Sequence, residues 1–353
     1  NYHAVILDEA QNIKNPHAGI TKSSKRLKSF VKFALTGTPL ENSATELWSI
    51  FDFIMPGYLS KFDKFSSKYK VHEFDDKTNE LLDNLRKQIS PFILRRKKND
   101  VIKELPPKIE NNIFIDLSDE QKKIYVAELD KVKSSIDEAM KDGGMSKVRF
   151  MILPLLTKLR QICIDPRIVY TDYDGGSNKI ERFLSIVEEL VNNNHKILVF
   201  TSFRTALNIV KVELESIGIK CYTMDGSVSS KERMERVNSF NNSDDVKVFL
   251  IMLKSGGTGL NLASSDIVIH LDLWWNPQAE NQATDRAHRI GQTNTVEVIR
   301  LVSKGTIEEK VLDLQEKKKE LSEKLIDAES LDQNLIGELT EKDIKELLAY
   351  ENK

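Results

Sequence analysis

The chain has 353 residues, 40% hydrophobic and 30% charged, enough for about two or three domains with a sizeable core. A formal net charge of −2 leaves no global basic field, so any nucleic-acid contact must come from local patches. The two cysteines, Cys163 and Cys221, lack zinc or redox spacing, and no apolar run is long enough to cross a bilayer.

Both cysteines read as reduced core or half-buried thiols, as in an intracellular protein of the cytosol, nucleoid or nucleus. The chain opens at Asn1 without a methionine and inside a strand-like run, which suggests a piece whose upstream part is missing. Residues 4–7 predict a short strand, and Asp8-Glu9 follow directly. Open parallel sheets bind ligands beyond the carboxyl ends of their strands, where such a pair is presented. Asp8 suits Mg²⁺ held through its waters, and Glu9 suits the orientation or deprotonation of an attacking water. An acidic loop start is the competing reading. Residues 33–35 predict a second strand, ending in Thr36-Gly37-Thr38-Pro39. Its two hydroxyls either relay hydrogen bonds or simply make a turn.

Residues 47–99 are helical in pattern, and Trp48, Phe51, Phe53, Phe62, Phe65 and Tyr69 read as core packing. Residues 92–94 return as a strand before Arg95-Arg96-Lys97-Lys98, the densest basic run, which meets phosphates or forms a solvated hinge face. Leu105-Pro106-Pro107-Lys108 is stiff and cannot be helical. It marks a linker over residues 105–112, between a first part, 1–104, and a second, 113–305. A strand over 113–117 precedes Ser118-Asp119-Glu120-Gln121, which has capping-box chemistry. Helices over 119–164, broken near Gly143-Gly144, belong to a helical insertion at 118–172.

After Lys179 strands are predicted at 197–200, 220–224, 247–252, 266–271 and 296–302. Helices at 204–217, 230–240 and 277–289 separate them. This is the rhythm of a parallel sheet covered on both faces, an α/β fold. The loop Lys254-Ser255-Gly256-Gly257-Thr258-Gly259 lets backbone approach a phosphate. Pro277 and Gly291 suit the start and end of a helix. On it Gln282, Arg286 and Arg289 share one face, and rigid guanidinium forks there grip an anion. A solvated polar face is the alternative. Residues 306–330 predict a charged bracing helix with Glu320 and Lys324 as an i, i+4 pair. The tail 331–353 is helical in character without chemistry to name.

Taken in order, these motifs resemble the Swi/Snf family of ATP-dependent DNA translocases in helicase superfamily two. Asp8-Glu9-Ala10-Gln11-Asn12-Ile13-Lys14-Asn15 is similar to its Mg²⁺ and water-activating motif, and Leu35-Thr36-Gly37-Thr38-Pro39-Leu40-Glu41-Asn42 to its coupling motif. Phe92-Ile93-Leu94-Arg95-Arg96 with Leu105-Pro106-Pro107-Lys108 resembles the segment joining its two lobes. Residues 197–203, 255–262 and 282–292 resemble motifs of its second lobe, with Trp274-Trp275-Asn276-Pro277 between the last two.

The resemblance implies RecA-like parallel-sheet lobes with helical insertions, here one partial lobe and one complete lobe. It further implies ATP and Mg in the cleft, double-stranded DNA across both lobes, a DNA-bound protein as cargo, and a monomer. Asp8 would hold Mg²⁺ and Glu9 would position water, with Gln282, Arg286 and Arg289 completing the catalytic set. Arg286 and Arg289 would act as arginine fingers, a device contributing on the order of 10³–10⁵ in rate. Thr36, Gly37 and Thr38 would couple the sites, and Gly259 would join the two arginines at the nucleotide. Ser202, Arg204, Gly257, Thr258 and Trp275 would contact DNA, with little sequence selectivity and steep salt dependence. One departure matters: the 353 residues contain no G-x-x-x-x-G-K-[ST] loop and no Gly-Lys dipeptide. In the family that loop precedes the acidic motif, so the parent protein is expected to hydrolyse ATP and this piece alone to do so poorly. Two rival readings are a non-enzymatic module binding DNA or protein and a strand-separating helicase of the same superfamily. A third is a P-loop enzyme acting on another substrate.

Overall fold

The computed structural model describes residues 2–36, 44–69, 76–94, 96, 102, 104–253, 260–275, 277–324 and 347–348. They fall into two compact units, one mainly within Asn1–Arg96 and one mainly within Lys97–Lys317.

The first unit opens with β1 (Tyr2–Leu7), a 3₁₀ turn (Ala10–Ile13), α1 (Gly19–Lys25) and β2 (Ser29–Ala34). The strands pair in parallel, with Ala4 opposite Val31 and Leu7 opposite Ala34. Three helices follow, α2 (Ala44–Ile54), α3 (Phe62–Tyr69) and α4 (Asp76–Ile89). The aromatic residues expected in the core are there: Trp48, Phe51, Phe65 and Tyr69 cluster with Leu85 and Ile89. Phe53 packs with Ile13 and Ile50 against Val5, Leu7 and Ala34 of the strands. No strand forms at 92–94. Residues Ser90–Phe92 make a 3₁₀ turn with Pro91 in its first positions, because proline brings no amide to a ladder. Of the basic run, Arg95, Lys97 and Lys98 lie outside the described residues.

The second unit begins with β3 (Lys108–Ile115), inside the segment expected as a linker and earlier than the predicted strand. Pro106 and Pro107 exclude helix, but from Lys108 onward every residue has an amide to give, and β3 pairs along its whole length with β8 (Val296–Ser303). Next comes α5 (Asp119–Ile164), broken at Gly144, whose φ of 60° is not helical. Only half of the expected capping box forms. Ser118 Oγ accepts the Gln121 amide at 3.2 Å, while the Gln121 side chain donates to the Ile162 carbonyl at 2.8 Å, tying the start of α5 to its end.

The alternating part holds α6 (Asn178–Asn192), β4 (Ile197–Thr201), α7 (Arg204–Ser216), β5 (Cys221–Met224), α8 (Ser230–Asn242) and β6 (Val248–Met252). Then come β7 (Ile267–His270), α9 (Pro277–Thr284), β8 and α10 (Ile307–Lys324). All six strands run parallel in the order β3-β8-β7-β4-β6-β5. Successive β4 residues face opposite sides. Ile197 and Val199 pack under α6 and α7 with Phe183, Val187, Leu207 and Val210. Leu198 and Phe200 pack under α8 and α9 with Val237, Phe240 and Ala283. The chain leaves β4 towards β6 and β5 but leaves β7 towards β8, so the connections diverge between neighbours β4 and β7. Such a switch point opens a crevice at the carboxyl ends of the strands. Cys163 is buried and Cys221 half-buried, as expected. Among the described residues no helix is long and apolar enough to cross a membrane.

Candidate functional site

In the first unit the acidic pair follows β1 directly. The ladder extends past the strands to pin it: the Leu35 amide donates to Leu7 at 2.7 Å, and the Ala10 amide donates to Leu35 at 2.9 Å. Between these bonds Glu9 adopts a left-handed conformation, φ 50° and ψ 53°. Residues other than glycine are uncommon in this region. The Glu9 amide donates to Asp8 Oδ1 at 2.9 Å. Gln11 Nε2 donates to Glu9 Oε2 at 2.6 Å, and Thr36 Oγ1 donates to Gln11 Oε1 at 2.7 Å. The amide therefore bridges the acidic pair to the threonine after β2, the kind of relay expected of that hydroxyl. Its middle member, Gln11, was not singled out in the sequence. The hint was an amide two residues past the acid, within reach of both strand ends. Gly37 and Thr38 lie outside the described residues.

Among the described residues no group of three His, Cys, Asp or Glu could cage a metal ion. An exposed single carboxylate such as Asp8 instead fits Mg²⁺, which keeps most of its waters and is bound by one or two carboxylates with phosphate oxygens.

In the second unit the helix expected to carry Gln282, Arg286 and Arg289 on one face stops early, at Thr284. The bonding becomes irregular as it ends. Asp285 and His288 bond back four residues, to Asn281 and Thr284, while Arg286 bonds back three to Ala283 and Arg289 only two to Ala287. Surrounding anchors hold the chain in this turn. Thr284 Oγ1 meets the buried His270 ring at 3.3 Å, and His288 Nε2 lies 2.8 Å from the Pro106 carbonyl. Gln292 turns inward to donate to Ser265 at 2.7 Å, while its oxygen takes the Thr293 and Asn294 amides. Gly291, at φ +101°, permits that reversal. Only Gln282 is helical. Both arginines are half-buried in the turn, and Arg289 Nη1 donates to the Leu260 carbonyl at 3.1 Å. Leu260 follows the glycine loop, whose Gly257, Thr258 and Gly259 lie outside the described residues.

At the switch point Ser202 and Arg204 leave β4. The Ser202 amide donates to Asp272 at 2.9 Å, and so does the Thr201 hydroxyl at 2.8 Å. Arg204 is 64% exposed on its side chain and pairs with Asp225 at 2.9 Å. Hydrogen bonds from Ser227 hold the Asp225 carboxyl below its usual range. Trp275, expected as a DNA contact, is 9% exposed, with the Arg160 guanidinium 5.8 Å from its ring, since a large apolar ring gains from burial. Sequence reasoning missed Arg160 and Asp272, a buried pair at 2.8 Å. Asp272 could have been noticed as an acid directly after an apolar strand, in the manner of Asp8.

Behind this turn Glu280 is buried, and burial raises its carboxyl pKa against the opposing pull of Arg300. It accepts from the Trp274 amide at 2.6 Å, from Arg300 at 3.1 Å and from Gln315 at 3.0 Å, joining α9, β8 and α10. Lys179 and Glu308 form a second buried ion pair at the start of α10.

Residues 1–168 match the SNF2-related domain, and residues 178–291 match the helicase conserved C-terminal domain. An uncharacterized ATP-dependent helicase of Mycoplasma pneumoniae is 41% identical over 325 residues, covering 92% of this chain and 31% of the relative. The SWI2/SNF2 ATPase core of Sulfolobus solfataricus, solved in complex with double-stranded DNA, is 36% identical with a TM-score of 0.58. That likeness covers 99% of this chain and 73% of the other. The C-terminal domain of the Sulfolobus ATPase is 31% identical with a TM-score of 0.55, over 68% of this chain and 97% of that one. The chain thus spans about a third of the length of this helicase relative.

Proposed function

As the chain belongs to the Swi/Snf family of helicase superfamily two, with RecA-like parallel-sheet lobes, we propose that its protein is a DNA-dependent ATPase that moves along double-stranded DNA and remodels DNA–protein complexes. The observation that carries this reading is the Glu9–Gln11–Thr36 relay beside Asp8. It ties the water-handling carboxylate to the threonine after the next strand, as a hydrolytic site coupled to a second event requires. Asp8 would hold Mg²⁺, which neutralises charge on the transferring phosphoryl group. Glu9, fixed in its strained turn and hydrogen-bonded by Gln11, orients the attacking water. Arg286 and Arg289 supply guanidinium charge to the transition state, and Gln282 belongs to the same catalytic set. Thr36, Gly37 and Thr38 couple hydrolysis to movement, and Gly259 lies at the nucleotide.

On the second unit Ser202, Arg204, Gly257 and Thr258 grip phosphates. Such contacts position the protein without reading bases. In this reading residues 105–112 join the lobes, residues 118–172 are a helical insertion and residues 306–330 a bracing helix. The protein works as an intracellular monomer. The 353 residues hold no Gly-Lys phosphate loop, so this chain alone hydrolyses ATP poorly.

A strand-displacement assay beside a triplex-displacement assay on the full-length protein tests the reading. A translocase displaces only the triplex strand. Duplex unwinding instead assigns a strand-separating helicase, and activity in neither assay, with DNA bound, assigns a binding module.

A further inference from the structure

The loops that leave β4 and β7 meet at a buried cation. Arg160, near the end of α5, is 3% exposed. Its Nη2 donates to Asp272 Oδ2 at 2.8 Å and to the Leu273 carbonyl, and lies 3.5 Å from Ser202 Oγ. Three rings surround the guanidinium: Phe203 at 5.3 Å, Trp274 at 5.6 Å and Trp275 at 5.8 Å. The other Asp272 oxygen takes the Thr201 hydroxyl and the Ser202 amide. Two loops that are far apart in sequence, one after β4 and one after β7, are thus fixed by a single ion pair whose cation comes from a third element.

A buried pair of this kind contributes little net stability compared with an apolar replacement, and is best understood where it fixes one geometry. Here the geometry is that of Ser202. Its amide is committed to Asp272, so only its hydroxyl can serve a phosphate, and Arg160 and Asp272 set where that hydroxyl stands. The positive charge of Arg160 is itself met by Asp272 and covered by rings, so Arg160 does not touch DNA.

We propose that Arg160 is a positioning residue for phosphate binding: through Asp272 it makes the grip of Ser202 on duplex DNA depend on the placement of α5. This rests on the reading of the protein as a DNA motor. The test uses the 353-residue chain and a labelled DNA duplex, with binding followed by fluorescence anisotropy over a range of salt. Ser202→Ala, Arg160→Lys and the double variant are compared after circular dichroism and melting confirm folding. Loss of one hydroxyl bond is expected to weaken binding about fivefold. Arg160→Lys keeps the charge but loses the fork, so it is expected to weaken binding by a similar factor while leaving the salt slope unchanged, since no charged contact to a phosphate is lost. The double variant is expected to bind no more weakly than Arg160→Lys alone, since the two changes remove the same contact.

Multiplicative losses overturn the proposal. So does an Arg160→Lys chain that melts earlier yet keeps its affinity, which assigns Arg160 to packing alone. If Arg160→Lys does not fold, Asp272→Asn in the same cycle gives the same two outcomes. A wild-type chain that binds no duplex at low salt overturns the DNA-motor reading as well, which separates that failure from this one.

Discussion

Among single residues, Glu9 and His270 carry the clearest consequences. In the full-length protein Glu9→Gln is expected to lower ATP turnover by about 10²–10⁴-fold, the usual worth of a positioned base. Arg286→Ala is expected to lower it by about 10³–10⁵-fold. Both should leave duplex affinity within about twofold, because neither group is assigned to the phosphate grip. ATPase assays beside anisotropy titrations check this, and equal loss of both activities by Arg286→Ala would move that residue to the DNA grip or to folding. His270 is a different case. Burial, with some help from the charge of Arg300, lowers its imidazole pKa to about 3, against about 6.5 in an unfolded chain. Between those values the unfolded state binds the extra proton. Stability is therefore complete above about pH 6.5 and falls as the pH drops towards 3, by up to about 1.4 kcal/mol per pH unit. Urea unfolding from pH 7.5 to pH 5 should show this slope, and His270→Asn should remove its share. An unchanged slope would place the acid sensitivity elsewhere.

Between elements, the connections that matter are buried and polar. Glu280 of α9 holds Arg300 of β8, Gln315 of α10 and the Trp274 amide at once. The Arg300 side chain is 12% exposed and keeps a second carboxylate, Glu110, at 2.9 Å, so Glu280→Ala removes one of its two partners and leaves the Trp274 amide and Gln315 short of an acceptor, at a cost of about 1–3 kcal/mol. Glu280→Gln keeps the shape and two of the acceptor contacts and should cost clearly less. Chemical denaturation of the two variants distinguishes them, and equal losses would mean that packing, not the charge, is what Glu280 supplies. The early end of α9 belongs to the same scale. Helical spacing alone puts Gln282, Arg286 and Arg289 on one face, but the Thr284–His270, His288–Pro106 and Gln292–Ser265 contacts hold the chain in a turn instead. Those partners lie as far as 182 residues away, beyond any local pattern.

For the whole molecule, the decisive measurement concerns what the 353 residues do by themselves. A purified chain is expected to bind duplex DNA with a steep inverse dependence on salt and to turn over ATP at a small fraction of the full-length rate. A normal DNA-stimulated rate from this chain would mean that another group replaces the missing Gly-Lys loop. The parallel sheets, their helical layers and the break at Gly144 were legible beforehand, because apolar periodicity and glycine act within a few residues. The acidic pair was legible for the same reason, as carboxylates placed directly after a strand. Other features were decided only in three dimensions. The Gln11 bridge needs two strands side by side, and the strand at Lys108–Ile115 needs β8 as its partner. Arg160 in its ring of aromatics needs a helix more than a hundred residues from Asp272 to fold across the crevice. Backbone preference and side-chain alternation are short-range and can be read along the chain; which buried charge meets which depends on packing between distant segments, and only the folded protein fixes it.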